Sequence, residues 1–338
     1  MSGAFAAGLP FALASGVTSG TCMLPMKLQQ RWRWENFWLV FSIVALLWMP
    51  WVLALLLIPR LPSVYAEIHV TQFQAPVLFG GAWGFAQILF GLTIARLGLA
   101  LGYAIIMGSV AVLGTLVPLV LQGNERHMHA LVWFGVAIML LGIVASGAAG
   151  RMKERARTRD ETDQTTVAGR YSAVLLAVAC GVVSPMLNFS FAFAGDIQEA
   201  AIRLGTPPGR AGFAVWPIAL SAGFVPNLAY CLHLLSKNKT WSLFRSGLSD
   251  VRLPLATAVL WMGSLAMYAM CSASLGRLGT SLGWGIVEAL SLVTAGVAGL
   301  LLKEWTGTTG TARGLQSAGL LLLLAATLLM AKGIALNK

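Results

Sequence analysis

RLGLALGYAI (Arg96–Ile105) returns in the same chain as RLGTSLGWGI (Arg277–Ile286), with six of ten positions identical at a spacing of 181 residues. A second, fainter pair, ALASGVTS from Ala12 and AVACGVVS from Ala177, shares five of eight positions. The two pairs occur in the same order along a chain of 338 residues, which describes an internal duplication. The residues around them say what has been duplicated.

Hydrophobic residues make up 57% of the chain and charged residues 10%. Soluble domains carry about 25% charged residues, so this surface is not built for water. The apolar residues run in blocks; Phe37–Ile58 contains no charge at all. Crossing about 30 Å of hydrocarbon as a helix takes roughly 20 such residues. The composition therefore predicts an all-α membrane protein. Met1–Met26 has no basic leader and runs past the length of a signal core, so it reads as the first span. The net charge of +11 is spread over segments between apolar blocks, as in cytoplasmic loops, and does not point to nucleic acid. Cys22, Cys180, Cys231 and Cys271 sit inside apolar blocks without CxxC spacing and read as small buried residues.

Ten spans fit the pattern, at about 5–25, 37–58, 75–95, 98–121, 130–149, 171–194, 211–235, 254–275, 280–302 and 314–335. Sixteen of the 23 Lys and Arg residues then fall on one side, seven on the other with both termini. The positive-inside rule places both termini outside. The most hydrophilic segment, Arg151–Arg170, lies mid-chain and reads as a solvated linker between residues 1–150 and 171–338.

Each RLG stretch joins the third span of its half to the fourth. Five spans per half is an odd number, so the second copy enters the membrane from the opposite side. Two inverted five-helix repeats are a recurrent architecture of secondary transporters, with the substrate near the midplane between them. Such a pair has two nearly equivalent packings, one open to each side, as alternating access requires.

The chain also resembles a known family. LFGGAWGFAQILFGLTIARLGLALGYAI (Leu78–Ile105), VLGTLVPLV from Val112, LLKEW (Leu301–Trp305) and the basic, Trp-rich RWRWENFW after the first span are similar to the L-rhamnose–proton symporter family of the drug/metabolite transporter superfamily. The resemblance covers nearly the whole chain. It implies ten helices in two inverted repeats, proton-coupled sugar import across the inner membrane, and no cofactor. Export of an amino acid or other metabolite, as elsewhere in the superfamily, stays open as the alternative.

Ionisable side chains deep in a span are costly and usually face a cavity. Glu288 is the only carboxylate near the middle of any span, and its repeat-related position is Met107. A carboxyl group charged in one state and neutral in another would couple proton and substrate movement; a structural hydrogen bond to a neighbouring helix is the other reading. A sugar pocket needs a few placed amides and an aromatic face. Gln87, Asn188 and Asn227 are the candidate amides, Trp83, Tyr103, Tyr268 and Trp284 the candidate aromatics. Trp83 shares a helix face with Gln87, and Trp284 with Glu288, each four residues apart. Interhelical bonding and packing are the competing roles for each.

Other features read more plainly. Trp32, Trp34, Trp241 and Trp305 stand beside basic residues at span ends, as interfacial anchors do. His127 and His129 form an HxH with no third ligand nearby. Asp196, Glu199 and Arg203 predict a short outer helix, and Pro185 a kink beside Ser184 and Asn188. No HExxH, P-loop or carboxylate pair within the spans suggests an enzyme.

Overall fold

The computed structural model describes residues 3–97, 99–123, 128–157, 167–245 and 248–336. Among them every regular element is helical. The long helices, labelled here in chain order, are α1 (Gly3–Thr21), α2 (Trp34–Leu57, π-helical over Ile43–Trp48), α3 (Gln74–Leu97), α4 (Leu99–Leu121), α5 (Ala130–Arg157), α6 (Val167–Val183), α7 (Trp216–Lys237), α8 (Arg252–Leu275), α9 (Trp284–Leu301) and α10 (Gly310–Leu336). Eight stretches of the described residues are long and apolar enough to cross a membrane; one, Arg252–Leu301, holds α8 and α9 in succession, and the apolar part of α4, Ile105–Leu121, is shorter. This is a multi-pass helical membrane protein.

Helix breaks follow local chemistry. α6 stops at Val183, and a short helix, Met186–Ala192, resumes beyond Pro185, whose missing N–H cannot continue the ladder. The expected kink at Pro185 is present. α8 ends at Gly276, whose φ of 60° and ψ of −131° suit a residue without Cβ. The outer helix expected around Asp196 runs Gly195–Arg203, and Arg203 is ion-paired to Glu67 at 2.8 Å. α5 continues to Arg157, seven residues into the expected linker; residues 158–166 of that linker lie outside the described residues.

Lipid tails give no hydrophobic drive for helices to associate, so small residues and close packing hold them. α1 packs on α8 and α9, α6 on α3 and α4, α2 on α8 and on α7, α3 on α7, α4 on α5, α9 on α10, and α5 on α10. The α3–α7 contact is closest at Gly80, where a Cβ would stand 2.2 Å from the Ala219 carbonyl oxygen, and at Gly84, where it would stand 2.4 Å from the Gly223 carbonyl oxygen. α1 is tied to α8 by Ser15 and Ser264, each hydroxyl donating to the other residue's carbonyl at 2.9 and 3.0 Å.

The anchoring tryptophans are more buried than span-end anchors need be. Trp32 donates its indole N–H to the Leu243 carbonyl at 3.0 Å, and Trp305 is buried beneath Lys153, whose ammonium stands 4.8 Å from the ring centre. Trp241 is exposed. The four cysteines are buried and unbridged.

Candidate functional site

The candidate residues gather in two clusters along one face of α8. In the first, Asn188 of the short helix after Pro185 is fully buried. Its amide donates to the carbonyls of Gly114 and Thr280, both at 2.8 Å, and its oxygen accepts from the Tyr268 hydroxyl. Tyr268 lies edge-on to Trp284 at 5.1 Å between ring centres, and Trp284 donates to the Val110 carbonyl at 3.2 Å. The Trp284 ring fits against Gly114, where a Cβ would come within 2.4 Å of the indole nitrogen. Asn188, Tyr268 and Trp284 thus join five helical segments, and both amide protons of Asn188 are in use.

Asn227 and Trp83 belong to the second cluster. Asn227 accepts from the Trp38 indole at 2.9 Å and donates to the Gly223 carbonyl at 2.8 Å. Trp83 stacks on Trp261, with ring centres 5.6 Å apart and planes at 19°. Trp261 also meets Phe41 edge-on at 5.8 Å. One turn along α3, Gln87 is half-buried and has no side-chain hydrogen bond among the described residues. Trp261 and Tyr268 are seven residues apart on α8, a rise of about 10 Å, so the clusters are neighbours rather than one pocket. The Tyr103 side chain, like His127, lies outside the described residues.

Glu288 projects from α9 beside Trp284 and is 8% exposed. Its Oε2 is buried and has no hydrogen-bond partner among the described residues. An unpaired buried acceptor costs about 1–3 kcal/mol, and more if charged. The only other buried carboxylate among the described residues, Glu35, shows the contrast: it sits in the first turn of α2 and accepts from Asn238 at 3.0 Å and Thr240 at 2.9 Å.

The sequence reasoning missed Trp38 and Trp261. Both are apolar-looking aromatics in apolar spans, and only their partners across helix boundaries distinguish them. Sequence reasoning also passed over a GxSxG spacing, which Gly279–Gly283, GTSLG, does have. That segment is π-helical, and the buried Ser281 hydroxyl donates to the Leu278 carbonyl at 3.2 Å. The strand–turn–helix setting of a nucleophile elbow is missing. His129 serves α5 locally, its Nδ1 accepting from the Leu131 N–H at 3.2 Å.

Comparison with known proteins matches this arrangement to a transport family. Residues 1–336 match the family described as L-rhamnose-proton symport protein (RhaT). An L-rhamnose-proton symporter of Citrobacter koseri is 26% identical over 347 aligned residues, covering 99% of this chain and 100% of the relative. One from Enterobacter sp. is 27% identical over 333 residues, covering 95% and 96%. One from Escherichia coli is 26% identical over 347 residues, covering 99% and 100%. With the match running through both clusters and Glu288, the chain belongs to the L-rhamnose-proton symport protein (RhaT) family.

Proposed function

We propose that this protein imports L-rhamnose together with protons across the inner membrane, by alternating access between two inverted five-helix repeats. Residues 1–150 and 171–338 form the repeats, 151–170 a cytoplasmic linker, and both termini face the periplasm. The packing supports this reading. Exchanging each helix for the one five places along turns α1–α8 into α6–α3, α1–α9 into α6–α4, α2–α8 into α7–α3 and α4–α5 into α9–α10, while α2–α7 and α5–α10 map onto themselves; every one of these pairs is in contact. Single contacts follow the same rule. Gly16 meets Leu290, and its counterpart Gly181 meets Ser109, the position 181 residues before Leu290.

In this reading the apolar face of the sugar ring lies against the Trp83–Trp261 aromatics, and Gln87, whose amide is free, bonds its hydroxyls. Asn188, Asn227, Tyr268 and Trp284 line the remaining path. Asn188 is saturated by its own network, so substrate reaching it exchanges those bonds as the repeats rock. Glu288 carries the proton. The observation behind this role is the unpartnered Oε2 of a carboxyl group buried mid-span. The asymmetry at Met107 gives one such site per molecule.

Proteoliposome uptake tests the proposal. Wild type concentrates L-rhamnose under an inward proton gradient. Glu288→Gln loses gradient-driven accumulation and retains sugar exchange at equilibrium. Gradient-driven accumulation by Glu288→Gln at the wild-type rate removes Glu288 from coupling. Absence of rhamnose flux in wild type defeats the substrate assignment.

A further inference from the structure

Where α9 gives way to α10, Leu300, Lys303, Trp305, Thr306 and Arg313 line a cavity of about 220 Å³. We propose that it is a binding site for the phosphate of an anionic phospholipid head group.

The charge balance around the cavity carries the argument. Four cations meet here, and one acid serves two of them. Glu304 is ion-paired to Lys27 and, at 3.7 Å, to Lys153. Lys303 and Arg313, the cations that line the cavity itself, have no acidic partner among the described residues. The site therefore holds two uncompensated positive charges and no free carboxylate. That pattern attracts a phosphate and offers nothing to the ammonium of a zwitterionic head group. Basic pockets beside membrane helices recognise anionic head groups in this way.

The surroundings favour a lipid over soluble phosphate. Leu301 and Leu302, 77% and 57% exposed, continue from the cavity wall as an apolar surface for acyl chains. The buried indole of Trp305 lines the cavity as well, and amphipathic rings of this kind are enriched at membrane–water interfaces. The lipid would span the joint between α9, which carries Glu288, and α10.

Native mass spectrometry of the full chain in detergent, titrated with phosphatidylglycerol or phosphatidylcholine, tests the site. Phosphatidylglycerol affinity should fall about 25-fold in the Lys303→Gln/Arg313→Gln variant, each cation near the head groups contributing a factor of about five. Phosphatidylcholine binding should stay weak and unchanged. A control, Lys237→Gln/Lys239→Gln, removes equal charge at the end of α7 and should change affinity by less than about twofold. All four positions are exposed, so folding is spared. Equal phosphatidylglycerol binding in wild type and the first variant overturns the proposal, as does an equal loss in the control. Displacement of the lipid by millimolar inorganic phosphate would overturn the lipid assignment in favour of free phosphate.

Discussion

Trp83 and Trp261 lie face to face across the α3–α8 boundary, their ring centres 5.6 Å apart. They are the only stacked pair among the described residues that joins these two helices. Thr257, one turn before Trp261, is fully buried and its hydroxyl has no hydrogen-bond partner among the described residues, so the inward face of α8 combines an aromatic surface with hydrogen-bonding capacity. Trp261→Leu keeps an apolar side chain but removes the ring. Stacking of this kind contributes about 0.5–1.5 kcal/mol, so KM for L-rhamnose should rise about tenfold while Trp261→Phe stays within about threefold of wild type. Unchanged KM in Trp261→Leu would separate this pair from the substrate.

Tyr268→Phe leaves the Asn188 oxygen without its Tyr268 donor in a fully buried position. The expected loss is about 1–3 kcal/mol, read as a lower melting temperature in detergent. Asn188→Ala should cost more, because it also strands the Gly114 and Thr280 carbonyls. If Tyr268→Phe melts with wild type, the network is not what joins these segments.

The repeat predicts paired sensitivities of unequal size. A Cβ at Gly16 would stand 2.4 Å from the Leu290 Cβ, with the Leu290 and Ser291 backbone at 3.2 and 3.3 Å behind it. At Gly181 it would meet the Ser109 hydroxyl oxygen at 2.6 Å, which rotation can move, and the Ser109 Cβ at 2.8 Å, with the nearest backbone atom at 3.6 Å. Overpacking costs about 1–3 kcal/mol, so Gly16→Ala should fall at the upper end and Gly181→Ala below it. Melting temperatures of the two variants check the order; equal values would contradict it.

Glu304 gives a pH dependence outside the membrane spans. Burial pushes its carboxyl group up, but the Lys27 hydrogen bond and the charges of Lys27 and Lys153 outweigh this and hold it below its ordinary range. A depressed carboxyl stabilises the fold above its unfolded pKa, and that contribution disappears as pH falls through the folded value. Partly exposed ion pairs are worth about 0–1 kcal/mol, so the effect is small. Between pH 6 and about pH 3, wild type should lose slightly more melting temperature than Glu304→Gln. Parallel curves would show that the cluster adds no net stability.

The sequence alone was enough to establish long apolar helices, the Pro185 break, the short helix that holds Asp196, Glu199 and Arg203, and the family resemblance. These depend on residue type and local spacing: hydrocarbon length sets the size of an apolar block, proline lacks a donor, and motif strings are read in one dimension. Glu288 was legible for the same reason, since a lone carboxylate in an apolar block needs no neighbour to be noticed. The tertiary structure decided which side chains meet. Trp83 and Gln87 share a helix face, as their spacing says, but Trp83 spends its ring on Trp261, 178 positions away, while Gln87 stays free. Asn188 and Asn227 look alike in sequence, yet one closes on Tyr268 and the other on Trp38. In a membrane the rotation of each helix is set by how closely small residues such as Gly84 and Gly114 let its neighbours approach, and that depends on pairs of helices distant in the chain.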